Sequence, residues 1–224
     1  MKKNLSPILA TVAIVGVILF VVFAVLNPKN DSSPSDKSDK AKVVANDQQK
    51  AQMEQGNSKG NLNSKVVVTE FGDFQCPACQ TIEESLNASF FPKYGDKVKF
   101  VFKHFPLTQI HKNALSSAYA AEAAALQGKF WEMHDLLYKN QDAWSELSNP
   151  QPKYNEYAAQ IGLDVTKFKN DVAASAVKSV VNTDKKLGED LKLPGTPSFF
   201  VNGNYIELTS LTDLTNAVDQ ALAQ

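Results

Sequence analysis

Cysteine is nearly absent from this chain: its 224 residues include two, Cys76 and Cys79. Two cysteines cannot build the disulfide framework of a small stapled domain, so any cross-link is confined to this one pair. An excess of charge is also missing. Lysine and arginine number 23 against 24 acidic residues, and the net charge of −1 leaves no global field to select nucleic acid or an acidic partner. The histidines His104, His111 and His134 lack the C-x-x-C…H-x-x-x-H spacing of a zinc site. No internal repeat is apparent. What is present suffices for a core: 43% of residues are hydrophobic, and the length admits one or two domains.

The N-terminus decides the compartment. Residues 1–7 form a short basic tail with Lys2 and Lys3, and residues 8–26 run for 19 positions without a charge. At 1.5 Å per residue this run spans a bilayer core, so it is expected to be a transmembrane signal-anchor. A cleaved signal peptide would have a shorter apolar region and a better small-x-small site than Val22-Phe23-Ala24. Lys29, Lys37, Lys40 and Lys42 blunt the lysine bias, but the density nearest the membrane favours the N-terminus inside. The expectation is a single-pass cell-membrane protein with its body outside the cytoplasm. Residues 27–62 are polar, lack aromatics and read as a flexible linker, with a short helix permitted from Ala45 to Met53.

The folded body is expected from residue 63 to residue 224. Lys65 to Phe71 is short, β-branched and apolar, as a buried strand is. Val98 to Phe105 alternates apolar and lysine positions, apart from Val101, and predicts a second strand that Pro106 ends. From about residue 113 to 191 the pattern is helical, with Gly128, Gly162 and Gly188 as breaks and Asp164 as an N-cap. Asn202-Gly203 predicts a hairpin, and Ser210 with Asp213 a capping box opening a last helix. The first two strands flank a helix and should be parallel. The whole is an α/β body with a mixed sheet and an all-helical insertion, preceded by one transmembrane helix.

Cys76-Pro77-Ala78-Cys79 comes after the first strand and opens a helix. Unpaired N–H groups and a partial positive charge at a helix N-terminus stabilise a thiolate, which makes the first cysteine reactive and leaves the second one turn away to resolve a mixed disulfide. Two other readings compete. A structural zinc site needs four ligands, of which the pair supplies half. An inert disulfide across so short a loop adds little chain-entropy stabilisation. No cofactor or metal is expected.

Four stretches together resemble the DsbA-like branch of the thioredoxin superfamily over about residue 61 to the C-terminus. They are Glu70 to Cys79, His104 to Leu107, Gly128 to His134 and Gly195 to Gly203. The resemblance implies that Cys76 is an exposed nucleophile and Cys79 a buried resolving cysteine. Pro197 would be a cis-proline facing the dithiol and turning the Thr196 backbone toward Cys76. Glu70, six residues before Cys76, would be a buried acid able to relay the proton of Cys79. The chain departs from the strongly oxidising members, which have histidine where Ala78 stands, so a milder oxidant is expected.

The expected protein is an extracytoplasmic thiol–disulfide oxidoreductase that oxidises cysteine-containing exported proteins and is recharged by a DsbB-like or VKOR-like membrane partner. The alternatives are the same chemistry run as a reductase or isomerase, and a tethered chaperone whose insertion grips unfolded chains. The histidines and Trp131 and Trp144 are expected to pack or cap rather than react.

Overall fold

The computed structural model describes residues 43–224. The expected tail, anchor and first part of the linker lie outside the described residues. Among those residues, no helix is long and apolar enough to cross a membrane.

The chain opens with α1 (Asp47–Met53), capped reciprocally by Asn46 and Gln49, and then β1 (Ser58–Gly60). β2 (Val67–Gly72) leads into α2 (Pro77–Ser85), a π-helical turn (Leu86–Phe90) and the short α3 (Phe91–Tyr94). Next are β3 (Lys99–His104) and the helical block: α4 (Ala114–Ala125), α5 (Phe130–Lys139), α6 (Gln141–Trp144), α7 (Gln151–Gln160), α8 (Val165–Val172) and α9 (Ser175–Asp190). β4 (Ser198–Val201), β5 (Asn204–Ile206) and α10 (Leu211–Leu222) complete it. The strands form one sheet in the order β1-β3-β2-β4-β5. β2 and β3 are parallel; β1, β4 and β5 pair antiparallel with their neighbours. This is the expected mixed sheet with a helical insertion between β3 and β4.

Local chemistry accounts for the boundaries. Asn202 and Gly203 both have positive φ, +48° and +74°, which a two-residue hairpin matching the strand twist requires. Asp164 accepts the Lys167 N–H and caps α8, and the Ser210–Asp213 capping box opens α10.

Two expectations need correction. The proposed linker does not extend to residue 62. Its described part holds α1, with Met53 buried, and β1, whose Ser58–Gly60 pairs with Lys99–Val101. The expected break at Gly188 is absent, because α9 runs on to Asp190. Both faces of the sheet are covered. Val68, Phe100, Phe199 and Val201 pack against Leu86, Phe90, Leu214 and Val218. On the opposite face Phe71 and Phe200 pack against Met53, Leu187 and Leu191. Lys103 is therefore buried, and its ammonium is neutralised by Asp184 of α9 at 2.9 Å. A buried pair of this kind binds the insertion to the sheet; removing one partner strands a charge at about 3–5 kcal/mol.

Gly72, at the end of β2, gives the sharpest packing test. A Cβ there would come within 2.5 Å of Phe102 Cε2 and 2.9 Å of Tyr138 Oη. Gly72→Ala is expected to destabilise the fold by about 1–3 kcal/mol through overpacking. Urea unfolding measures this, and an unchanged midpoint would contradict the close packing beneath α2.

Candidate active site

The N-terminus of α2 is built around Cys76, its N-cap, with Pro77 in the first turn where a missing N–H costs nothing. Asp73 shapes the approach. Its carbonyl accepts the Cys76 N–H at 3.0 Å. Its buried carboxylate accepts the backbone N–H groups of Gln75 (2.8 Å) and Leu107 (2.9 Å) and meets His111 Nδ1 at 2.7 Å. The helical insertion holds the same loop from the other side. Gln141 Nε2 donates to the carbonyls of Phe74 (2.7 Å) and Cys76 (3.1 Å). Gln75 accepts the Asn113 N–H at 2.6 Å and donates to the Ser145 carbonyl at 2.8 Å.

The structure brings Cys76, Cys79, Thr196 and Pro197 together. The Thr196–Pro197 peptide bond is cis. Cys76 Sγ donates to the Thr196 carbonyl at 3.4 Å. Both cysteines are free thiols. Cys79 is fully buried, and Cys76 retains only 6% of its surface, so it is less open than an exposed nucleophile would be. The Thr196 carbonyl and the core cluster that Cys76 shares with residues of the insertion account for that shielding.

The two sulfurs are electrostatically unequal. The Cys76 thiol is brought down to about 5, first by the hydrogen bond from the Cys79 thiol, against the opposing effect of burial. The Thr196 side chain and the N–H groups of Cys79 and Ala78 add to the effect. The Thr196 hydroxyl is buried and otherwise unpartnered, so an ionised Cys76 supplies the acceptor it lacks. Cys79 is pushed far up, first by burial, then by its bond to Cys76 and the charges of Cys76 and Glu70.

Glu70 lies within β2, wholly buried, with neither carboxyl oxygen hydrogen-bonded. Burial, and then the charge of Glu83, raises its carboxyl well above the usual range and favours the neutral acid. Lys59 opposes that rise. Sequence reasoning singles out neither Lys59 nor Glu83. Lys59 Nζ lies 3.8 Å from Glu83 and over the rings of Phe91 (3.8 Å) and Trp131 (4.3 Å). Burial lowers its own proton affinity, with Glu83 chief among the charges that resist. Glu83 has a usable signal, since it lies four residues after Cys79 on the same helix face. Lys59 has none, because the polar stretch around it carries no strand pattern.

The histidines take supporting places. His104 Nε2 meets Glu122 Oε1 at 2.8 Å, and His134 is buried among Phe74, Phe102, Phe130 and Trp131. Among the described residues, the one group of three metal-ligating side chains is Glu83, His134 and Asp135, which does not include the cysteines.

A family model described as Thioredoxin matches residues 42–220. Similar curated proteins include the Na(+)/H(+) antiporter NhaA 1 of Mycolicibacterium vanbaalenii, 37% identical over 149 residues, which are 65% of this chain and 23% of the antiporter. The chain thus spans about a quarter of the length of such relatives. "Probable disulfide bond formation protein D" of Bacillus cereus is 33% identical over 177 residues, 74% of this chain and 78% of that protein. A solved thioredoxin-like oxidoreductase from Silicibacter pomeroyi is 25% identical with a TM-score of 0.66, over 80% of this chain and 99% of that one. Oxidised BdbD from Bacillus subtilis shares the fold, at 23% identity and a TM-score of 0.64, over 75% of this chain and 92% of its own.

The thiol inequality is testable. In the reduced protein, ultraviolet thiolate absorbance should show one group titrating near 5 and no second group in the neutral range. A thiol held below its unfolded value of 9.0 stabilises the reduced fold fully above that value, and the contribution is lost as pH falls through about 5. The Tm advantage of reduced over oxidised protein should shrink across that window. An advantage that grew on acidification would refute the assignment.

Proposed function

The chain belongs to the thioredoxin family, on its DsbA-like oxidoreductase branch, and we propose that it introduces disulfides into cysteine-containing exported proteins from the outer side of a cell membrane. The oxidising direction is supported by the site around Cys76, where the Thr196 carbonyl lies 3.4 Å from Sγ and the Cys79 thiol and nearby N–H groups favour the thiolate. A disulfide whose reduced form is stabilised as a thiolate is the stronger oxidant.

In the oxidised enzyme a substrate thiolate attacks Cys76 Sγ. The Cys76–Cys79 bond breaks, and Cys79 leaves with the electron pair. Its buried position disfavours that charge, and in this reading the neutral Glu70 carboxyl supplies the proton. A second substrate thiolate then attacks the substrate sulfur of the mixed disulfide and expels Cys76 as its stabilised thiolate. Two electrons pass from the substrate to the dithiol. The carbonyl of Thr196, beside Cys76, is suited to pair with an extended substrate segment. A DsbB-like or VKOR-like membrane partner then returns the dithiol to the disulfide.

The uncharged run of residues 8–26 supports the membrane placement. The relatives named as antiporters lend it further support, since they join a similar segment to a transporter. A second reading, reductase or isomerase with the same pair, is favoured by Ala78, which provides no side-chain donor to the thiolate.

Equilibration with glutathione separates the directions. A potential above about −200 mV is expected, whereas one near about −270 mV would overturn the oxidase reading. Cys79→Ser should accumulate mixed disulfides through Cys76, and Cys76→Ser should accumulate none, as gel shifts on non-reducing electrophoresis will show. In intact cells a membrane-impermeant thiol reagent should label Cys76. Labelling only after lysis would overturn the outward placement.

A further inference from the structure

Three ligating side chains, neither cysteine among them, converge beside α2. Glu83 on α2 and His134 and Asp135 on α5 each offer one ligand atom, all within 4.8 Å of one another. His134 Nδ1 is already 2.9 Å from Asp135 Oδ1. Glu83 is buried, and while one oxygen accepts from Asn87 Nδ2 at 2.9 Å, its Oε2 has no partner among the described residues. A buried carboxylate oxygen without a donor requires a proton, a water or a cation. Access exists: a cavity of about 540 Å³ between α2 and α5 is lined by Glu83, Asn87, Asp135 and Tyr138, among others.

We propose that Glu83, His134 and Asp135 form a divalent-cation site of the zinc class, with water from the cavity completing the coordination. One imidazole and two carboxylates suit zinc, whereas calcium and magnesium take more oxygens. Bonds of about 2.0–2.2 Å in a tetrahedron place ligand atoms roughly 3.5 Å apart. From within 4.8 Å, side-chain rotation of about an ångström closes the set.

Lys59 is the resident competitor. Its ammonium sits 3.8 Å from Glu83 and is cradled by Phe91 and Trp131. A dication at Glu83 meets that charge at short range, so the site is occupied either by the lysine alone or by the metal with the lysine displaced. The site also reaches the redox pair, because Glu83 and Cys76 both act on Glu70.

The test is zinc titration of the full-length chain in its oxidised form, so that neither cysteine can ligate, read by calorimetry and by fluorescence of Trp131, whose ring lies 4.9 Å from His134. A single saturable site is expected. Asp135→Asn changes an exposed side chain and should weaken zinc binding about tenfold or more while the fold is unaffected. Lys59→Met should strengthen it. No saturable binding, or an affinity unchanged in either variant, overturns the assignment.

Discussion

The site depends on one asymmetry: a sulfur anion is stabilised at Cys76 and disfavoured at Cys79, one helical turn away. A helix N-terminus alone would favour both, since its N–H groups and partial charge fall off only over the first turn. Burial breaks the tie. Cys76 keeps contact with Thr196 and a little solvent, while Cys79 lies wholly buried in the aromatic core around Phe74 and Phe102. The Cys79 thiol then stabilises its partner by donating to it. The anion on one sulfur is thus stabilised by the proton on the other.

The fold is arranged to hold that geometry from two sides. The sheet supplies Glu70 from β2 and the Thr196–Pro197 turn ahead of β4. The insertion supplies Gln141, Asn113 and the carbonyl of Ser145, which fix the backbone of Phe74, Gln75 and Cys76. These are hydrogen bonds to the loop that ends at Cys76, so the insertion fixes Cys76 as well as covering it. Asp73 performs the corresponding task for the loop after β3, tying Leu107 and His111 to the same turn.

Much of this was legible in the residues. The dithiol, the parallel pair of strands, the Asn202-Gly203 hairpin and the caps at Asp164 and Ser210 each have a local signature, and each formed where its chemistry placed it. What escaped had no local signature. α1 buries one residue, Met53, and β1 is three residues long, so neither generates periodicity in a polar stretch. Gln141 lies in a four-residue helix, and its identity says nothing of the carbonyls it meets. The burial of Lys103 has no signature in β3, because covering both sheet faces is a property of the helices that pack there.

Ala78 places the remaining demand on the rest of the site. With no side chain there to donate, the Cys76 anion relies on the Cys79 thiol, the Thr196 hydroxyl and two backbone N–H groups. None of these carries a formal charge, so the stabilisation comes from fixed dipoles rather than ion pairing. Fixed dipoles act at short range and are little screened by salt in a covered site. Formal charge lies below instead, at Lys59 and Glu83, where it bears on Glu70. The layers divide the work: dipoles set the thiolate, and buried charges bear on the Glu70 carboxyl. A change at Lys59 or Glu83 therefore bears on Glu70, which also feels the charge of Cys76.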